Sequence, residues 1–252
     1  MKRLVVFAVA ALGLALPSTA PASHSWSNYH WGRTSQPFTL KLVDSVSSSW
    51  DSYLSKAVSD WSVPVVSGVP DVLNITKETG VVTKNCKGTS GKSQVCNGNY
   101  GYNGWLGLAQ IWVSTSHITK AIAKMNDSYF SLSTYNKPAW KQHVVCQEVG
   151  HGFGLGHQDE SGKSLGTCMD YATDPTNSQH PNKHDYDQLE LIYNSHLDST
   201  RTYASVAGGP GHGPPERISD NLWVEDLGNG IRRFTYVYWV EPGIVHGFPQ
   251  VD

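Results

Sequence analysis

The sequence predicts an α+β fold whose N-terminal part is α/β-like. Three observations carry that expectation. Apolar residues alternate over 38–43 and then switch at once to helical spacing. Further strand-like runs lie around Leu73 and over 107–113, while an amphipathic stripe over 185–197 precedes a run rich in glycine and proline.

Taken in order, Phe38 to Val43 alternates as a half-buried strand does, and Trp50, Tyr53, Leu54, Ala57 and Trp61 then recur at helical spacing. The VLNIT run around Leu73 and the GLAQIWV run from Gly107 to Val113 predict strands, the second bounded by a Gly/Asn/Tyr-rich loop and by Ser114. Ile118 to Met125 has helical spacing. Pro138 breaks the loop that follows, and Trp140 to about Phe153 predicts a helix ending in the segment QEVGHGFGLGH, from Gln147 to His157. A closing helix over 185–197 places Tyr186, Leu189, Tyr193 and Leu197 on one stripe. After a Gly/Pro linker, Leu222 to Leu227 and Ile231 to Val240 predict a hairpin turned at Gly228-Asn229-Gly230. The expected organisation is a signal segment at 1–22, a main domain at 23–206, the linker at 207–216 and a β-hairpin appendage at 217–252. No internal repeat is present in the sequence.

Lys2 and Arg3, an apolar run from Leu4 to Leu16 and Ala20-Pro21-Ala22 form a signal-peptide pattern with cleavage expected after Ala22. The apolar run is shorter than the ~20 residues a spanning helix needs, so a secreted protein outside the membrane is expected. Only a short segment separates Ala22 from the strand at Phe38, which predicts competence without further maturation. The four cysteines suit disulfides in an exported chain. Of three connectivities, Cys86–Cys96 with Cys146–Cys168 is expected, because the first pair brackets a short loop and the second flanks the Gln147–His157 segment. A formal net charge of -2 with scattered Lys and Arg lacks the basic stripe of a nucleic-acid binder. Nine Trp and twelve Tyr are read first as core residues, with a carbohydrate-binding module as a minor alternative. A monomer is expected. Asn74-Ile75-Thr76 and Asn126-Asp127-Ser128 are sequons for glycosylation.

Gln147 and His151 are four apart, one turn above each other on a single helix face. Gly154 suits the residue past a helix end, where a left-handed turn brings His157 back toward the same point. Three protein ligands leave a zinc ion one open position for water, and Glu148 stands beside it as a general base. His143 cannot share an ion with His151, because eight helical residues separate them by roughly 12 Å.

The pattern ExxHxxGxxH from Glu148 to His157, with Met169 twelve residues on in Cys168-Met169-Asp170-Tyr171, resembles the metzincin zinc metallopeptidases, of the matrixin-like kind. The resemblance covers about residues 36 to 200. It implies a twisted mixed sheet with two helices, a site helix, a Met-turn and a closing helix. It further implies one catalytic zinc held by His151 and His157, Glu148 as base, Gly154 at the turn, Met169 beneath the metal, and a protein or peptide substrate. The family's first histidine falls on Gln147, whose amide oxygen is a harder and weaker zinc ligand than imidazole. Gln147 ranks first as third ligand and Tyr171 second, since astacins and serralysins carry a tyrosine at that place. Asp159 and Asp170 are further oxygen donors. The functional expectation is a secreted zinc metalloendopeptidase; the alternative is a catalytically silent metzincin-like protein that binds a metal or a partner.

Overall fold

The structure is a computed structural model of the 252-residue chain and describes residues 25, 28–194, 196–200, 213–240 and 248–249. The expected signal segment and most of the expected linker lie outside the described residues. Among the described residues, no helix is long and apolar enough to cross a membrane.

Nine described strands form one mixed sheet. Strands β3 (Leu73–Thr79), β2 (Phe38–Ser45), β4 (Lys92–Gly98) and β6 (His117–Asn126) lie side by side and parallel. The short β1 (His30–Trp31) adds a parallel pairing to the start of β6. Strand β5 (Trp105–Ser114) runs antiparallel to β6, and β9 (Ile231–Trp239), β8 (Leu222–Asp226) and β7 (Glu216–Arg217) continue the antiparallel half. Phe38, Leu40 and Leu42 of β2 are buried, as their alternation predicts.

Helix α1 (Asp51–Ser62) buries Leu54, Ala57, Val58 and Trp61. A single turn, α2 (Asp127–Phe130), follows β6, and α3 (Pro138–His151) packs against α1, β5, β6 and β9. Trp61 ties the two long helices together by donating its indole N–H to the Cys146 carbonyl at 3.0 Å. Pro138 opens α3 at its first turn instead of breaking a loop, a place where its missing N–H costs nothing. The last helix, α4 (Lys183–Tyr193), starts earlier than its apolar stripe suggests, because Asn182 and Asp185 form a capping box. It also stops at Tyr193, so Leu197 falls beyond it and is exposed.

Two sequence expectations are corrected. The 118–125 segment is β6, not a helix: it lies between β4 and β5 with Ile118, Ala121, Ile122, Ala123 and Met125 all buried. A strand buried on both faces loses its two-residue alternation, and apolar residues three and four apart then imitate a helix. The loop between Cys86 and Cys96 contains most of β4, whose polar run KSQ hides a strand. Both disulfides, Cys86–Cys96 and Cys146–Cys168, are present. The second joins α3 to the Met169 segment; such a bridge contributes about 2–4 kcal/mol.

The C-terminal hairpin turns where expected, with positive φ at Gly228, Asn229 and Gly230. Its position is what the sequence does not predict. Strand β9 pairs with β5 from Trp105↔Trp239 to Ser114↔Ile231, so the hairpin extends the main sheet. That pairing lays β9 beside the C-terminal end of α3.

Candidate metal centre

Helix α3 ends at His151, and the next turn is built around Gly154. Gly154 has φ +95°, and a Cβ there would lie 2.1 Å from the Tyr29 carbonyl oxygen, so both backbone and space require glycine. The turn returns the chain so that His157 Nε2 lies 3.0 Å from His151 Nε2. The segment is then pinned: Gln158 donates its N–H to the Met169 carbonyl at 2.6 Å, and Tyr171 donates its own to Asp159 at 2.8 Å.

Hydrogen bonds orient both rings. His151 Nδ1 donates to the Leu155 carbonyl at 2.8 Å, and His157 Nδ1 donates to the Glu160 carboxylate at 2.9 Å. With Nδ1 protonated in each neutral ring, two Nε2 lone pairs face one another. Such a pair repels unless a proton or a metal cation lies between. Two nitrogens bound tetrahedrally to one zinc are separated by about 3.4 Å, close to the spacing found.

Gln147, one turn before His151, donates its amide N–H to the Asp170 carbonyl at 2.7 Å. A carbonyl only accepts, so the side-chain oxygen is fixed as the free end; Gln147 Oε1 is buried and has no hydrogen-bond partner. Both Glu148 oxygens share that condition. Burial pushes the Glu148 carboxyl well above the usual carboxylate range. The carboxylate lies against β5 at Gly107, where a Cβ would come within 2.3 Å of Glu148 Oε1. Unsatisfied oxygens on the helical turn that carries His151, together with the facing His151 and His157 nitrogens, suit a divalent cation, whose charge compensates what burial otherwise penalises.

Met169 is fully buried against α3. Gly150 in the helix interior costs ~1 kcal/mol relative to Ala, and its reason is spatial: a Cβ there would lie 2.5 Å from Met169 Sδ and 2.7 Å from Trp61.

The remaining oxygen candidates are held by other partners, except that Asp170 Oδ1 is also buried without a hydrogen-bond partner. Tyr171 donates its hydroxyl to the Trp239 carbonyl at 3.0 Å and accepts the Trp239 N–H. The Asp170 carboxylate accepts from Leu165 N–H and Ser178 Oγ, and that of Asp159 accepts from Ser161. His143 is buried and donates to the Ser178 carbonyl.

Strand β9 closes the site. The Tyr236 ring stacks on His151 with centroids 4.2 Å apart and planes 10° apart, while Tyr238 stacks on Tyr171 at 4.3 Å. Gln147 is 0% exposed, Glu148 1% and His151 1%, so a peptide reaches none of them while β9 is in place. Neither tyrosine, nor Glu160, nor Gly107 is marked by the ExxHxxGxxH pattern. Gly107 carries the one legible signal, since an isolated glycine in an apolar strand marks a close approach.

No protein-family model and no curated protein matches the chain. Among solved structures it is similar to high choriolytic enzyme 1, a hatching enzyme zinc-protease from Oryzias latipes (medaka fish), at 9% identity and a TM-score of 0.37, over 68% of this chain and 96% of that chain. A likeness at that score carries no argument about function, which rests on the side chains.

Proposed function

We propose that the chain is a secreted zinc metalloendopeptidase with Gln147, His151 and His157 as ligands of one zinc ion and Glu148 as general base. The observation that carries this reading is the His151–His157 nitrogen pair at 3.0 Å, with the oxygens of Gln147 and Glu148 buried and unpartnered on the same helical turn. Zinc bound there supplies an acidified water and a polarised peptide carbonyl.

The chain's own residues supply the rest. Leu155 and Glu160 hold the imidazole tautomers, and Gly107 leaves the space in which Glu148 takes a proton from the attacking water and passes it to the leaving amine. The Asp170 carbonyl holds the Gln147 amide nitrogen, which leaves the buried Gln147 oxygen as the atom to bind a metal. Peptide access requires β9 to leave the face it shares with Tyr171 and His151.

A second reading, a catalytically silent metal-binding protein, is favoured by two observations: the amide ligand at Gln147 and the stacking of Tyr236 on His151. One experiment separates them. Purified mature chain is loaded with zinc and incubated with an unfolded protein substrate, alongside Glu148→Gln and Tyr236→Ala. The peptidase reading expects cleavage in wild type or in Tyr236→Ala that is lost on combining the latter with Glu148→Gln. Zinc binding with no Glu148-dependent cleavage in any variant establishes the silent reading.

A further inference from the structure

Four side chains from three separate stretches of the sequence meet behind the turn that follows α3. Strand β1 pairs with β6 so that His30 lies opposite His117. The segment after α4 returns alongside. Asp198 donates its N–H to the Arg33 carbonyl at 2.7 Å, and Arg33 donates its own to Asp198 Oδ2 at 2.9 Å. One backbone bond and one bond from the Arg33 backbone to the carboxylate itself seat Asp198 among the three imidazoles.

The distances suit one ion. His117 Nε2 lies 3.1 Å and His196 Nε2 3.2 Å from Asp198 Oδ1, and His30 Nε2 lies 3.8 Å from Oδ2. One ligand atom from each of the four residues lies within 4.8 Å of all the others. Ligands at ~2.0–2.1 Å from a tetrahedral zinc are about 3.4 Å apart, which requires only a small contraction of this cluster. His30 gives an independent indication. Its Nδ1 donates to the Asn28 carbonyl at 2.8 Å, so a neutral ring presents a bare Nε2, and that atom is buried without a hydrogen-bond partner. His30 itself is 4% exposed. His196 is half exposed and gives a path from solvent.

We propose that His30, His117, His196 and Asp198 form a second, structural site for a divalent cation of the zinc class. Three imidazoles and one carboxylate complete a tetrahedron, leaving no open position for a substrate. The spacing of His117 and His196 in the sequence matches no metal-binding motif; the fold alone assembles them.

The site is a clamp on the turn that presents His157. Trp31, next to His30, donates its indole N–H to the Gly152 carbonyl at 2.8 Å. Tyr193 donates its hydroxyl to the Phe153 carbonyl at 2.8 Å and accepts the Trp31 N–H at 3.2 Å. An ion joining β1, β6 and the 196–198 segment holds these bonds from behind.

The test uses untagged mature chain stripped of metal, titrated with zinc and followed by metal content and thermal unfolding. It is run in a His157→Ala background, so that its outcome does not depend on the peptidase site. The expected result is one zinc retained per chain and a zinc-dependent rise in Tm. Adding His196→Ala or Asp198→Asn weakens that binding more than tenfold and removes the rise. His196→Ala alters a half-exposed side chain, and an unchanged far-UV spectrum confirms that it folds. His157→Ala that binds no zinc, or His196→Ala and Asp198→Asn that leave stoichiometry and the Tm rise unchanged, overturns the proposal.

Discussion

The stacking of Tyr236 on His151 yields a pair of substitutions with opposite signs. Tyr236 is 2% exposed, and its hydroxyl is buried without a hydrogen-bond partner. Leaving such a group unsatisfied costs about 1–3 kcal/mol, so Tyr236→Phe keeps the ring and is expected to stabilise the fold by about 1 kcal/mol. Tyr236→Ala removes the ring as well. On the scale of other buried aromatics it costs about 3–5 kcal/mol and leaves a cavity directly over the imidazole. Urea unfolding measures both changes, and in Tyr236→Ala the release of zinc from the His151 site to a chelator is expected to quicken. A Tyr236→Phe protein that loses more than about 1 kcal/mol refutes the reasoning, because the hydroxyl then has a partner and the face is not sealed.

Three further predictions follow from the same geometry. Gly107→Ala places a methyl 2.3 Å from Glu148 Oε1, so the base must shift; Glu148-dependent cleavage is expected to drop ~100-fold with stability lowered by about 1–3 kcal/mol, read by initial rates and urea titration. Gln147→His replaces the amide ligand with imidazole and is expected to raise zinc affinity more than tenfold in a competition titration, the direction in which ligand softness acts. Burial lowers the His143 pKa from 6.5 to about 4. The unfolded chain therefore binds the extra proton first as pH falls. Stability from this group is intact above about pH 6.5 and declines toward pH 4, and His143→Gln is expected to flatten that part of the stability profile.

How much of this was legible depended on whether neighbours in space were also neighbours in sequence. Gln147, Glu148 and His151 share one helical turn, and Gly154 leads directly to His157, so helix periodicity and one turn signal suffice. Strand β2 and helix α1 were legible because each buries one face. Strand β6 was not, since burial on both faces erased its period. The hairpin β8–β9 could be read from its Gly-Asn-Gly turn, but nothing in an apolar strand names the edge it joins. Tyr236 and Tyr238 therefore gave no sign that they stack on His151 and Tyr171. The cluster of His30, His117, His196 and Asp198 was the least legible, because its ligands come from β1, β6 and the chain after α4, and only the sheet register brings the first two together.

The role proposed for Gln147 rests on its hydrogen bond: the amide nitrogen is committed to the Asp170 carbonyl, which leaves a buried, unpartnered oxygen one helical turn from His151. Glu148 extends the same logic, since a carboxylate buried with no donor nearby is costly unless positive charge accompanies it.

The most direct test is a crystal of the zinc-loaded mature chain with anomalous diffraction collected at the zinc edge. The account predicts a peak ~2.0–2.2 Å from Gln147 Oε1, His151 Nε2 and His157 Nε2. Full zinc loading with no peak between His151 and His157, or with Gln147 turned away from it, contradicts the account.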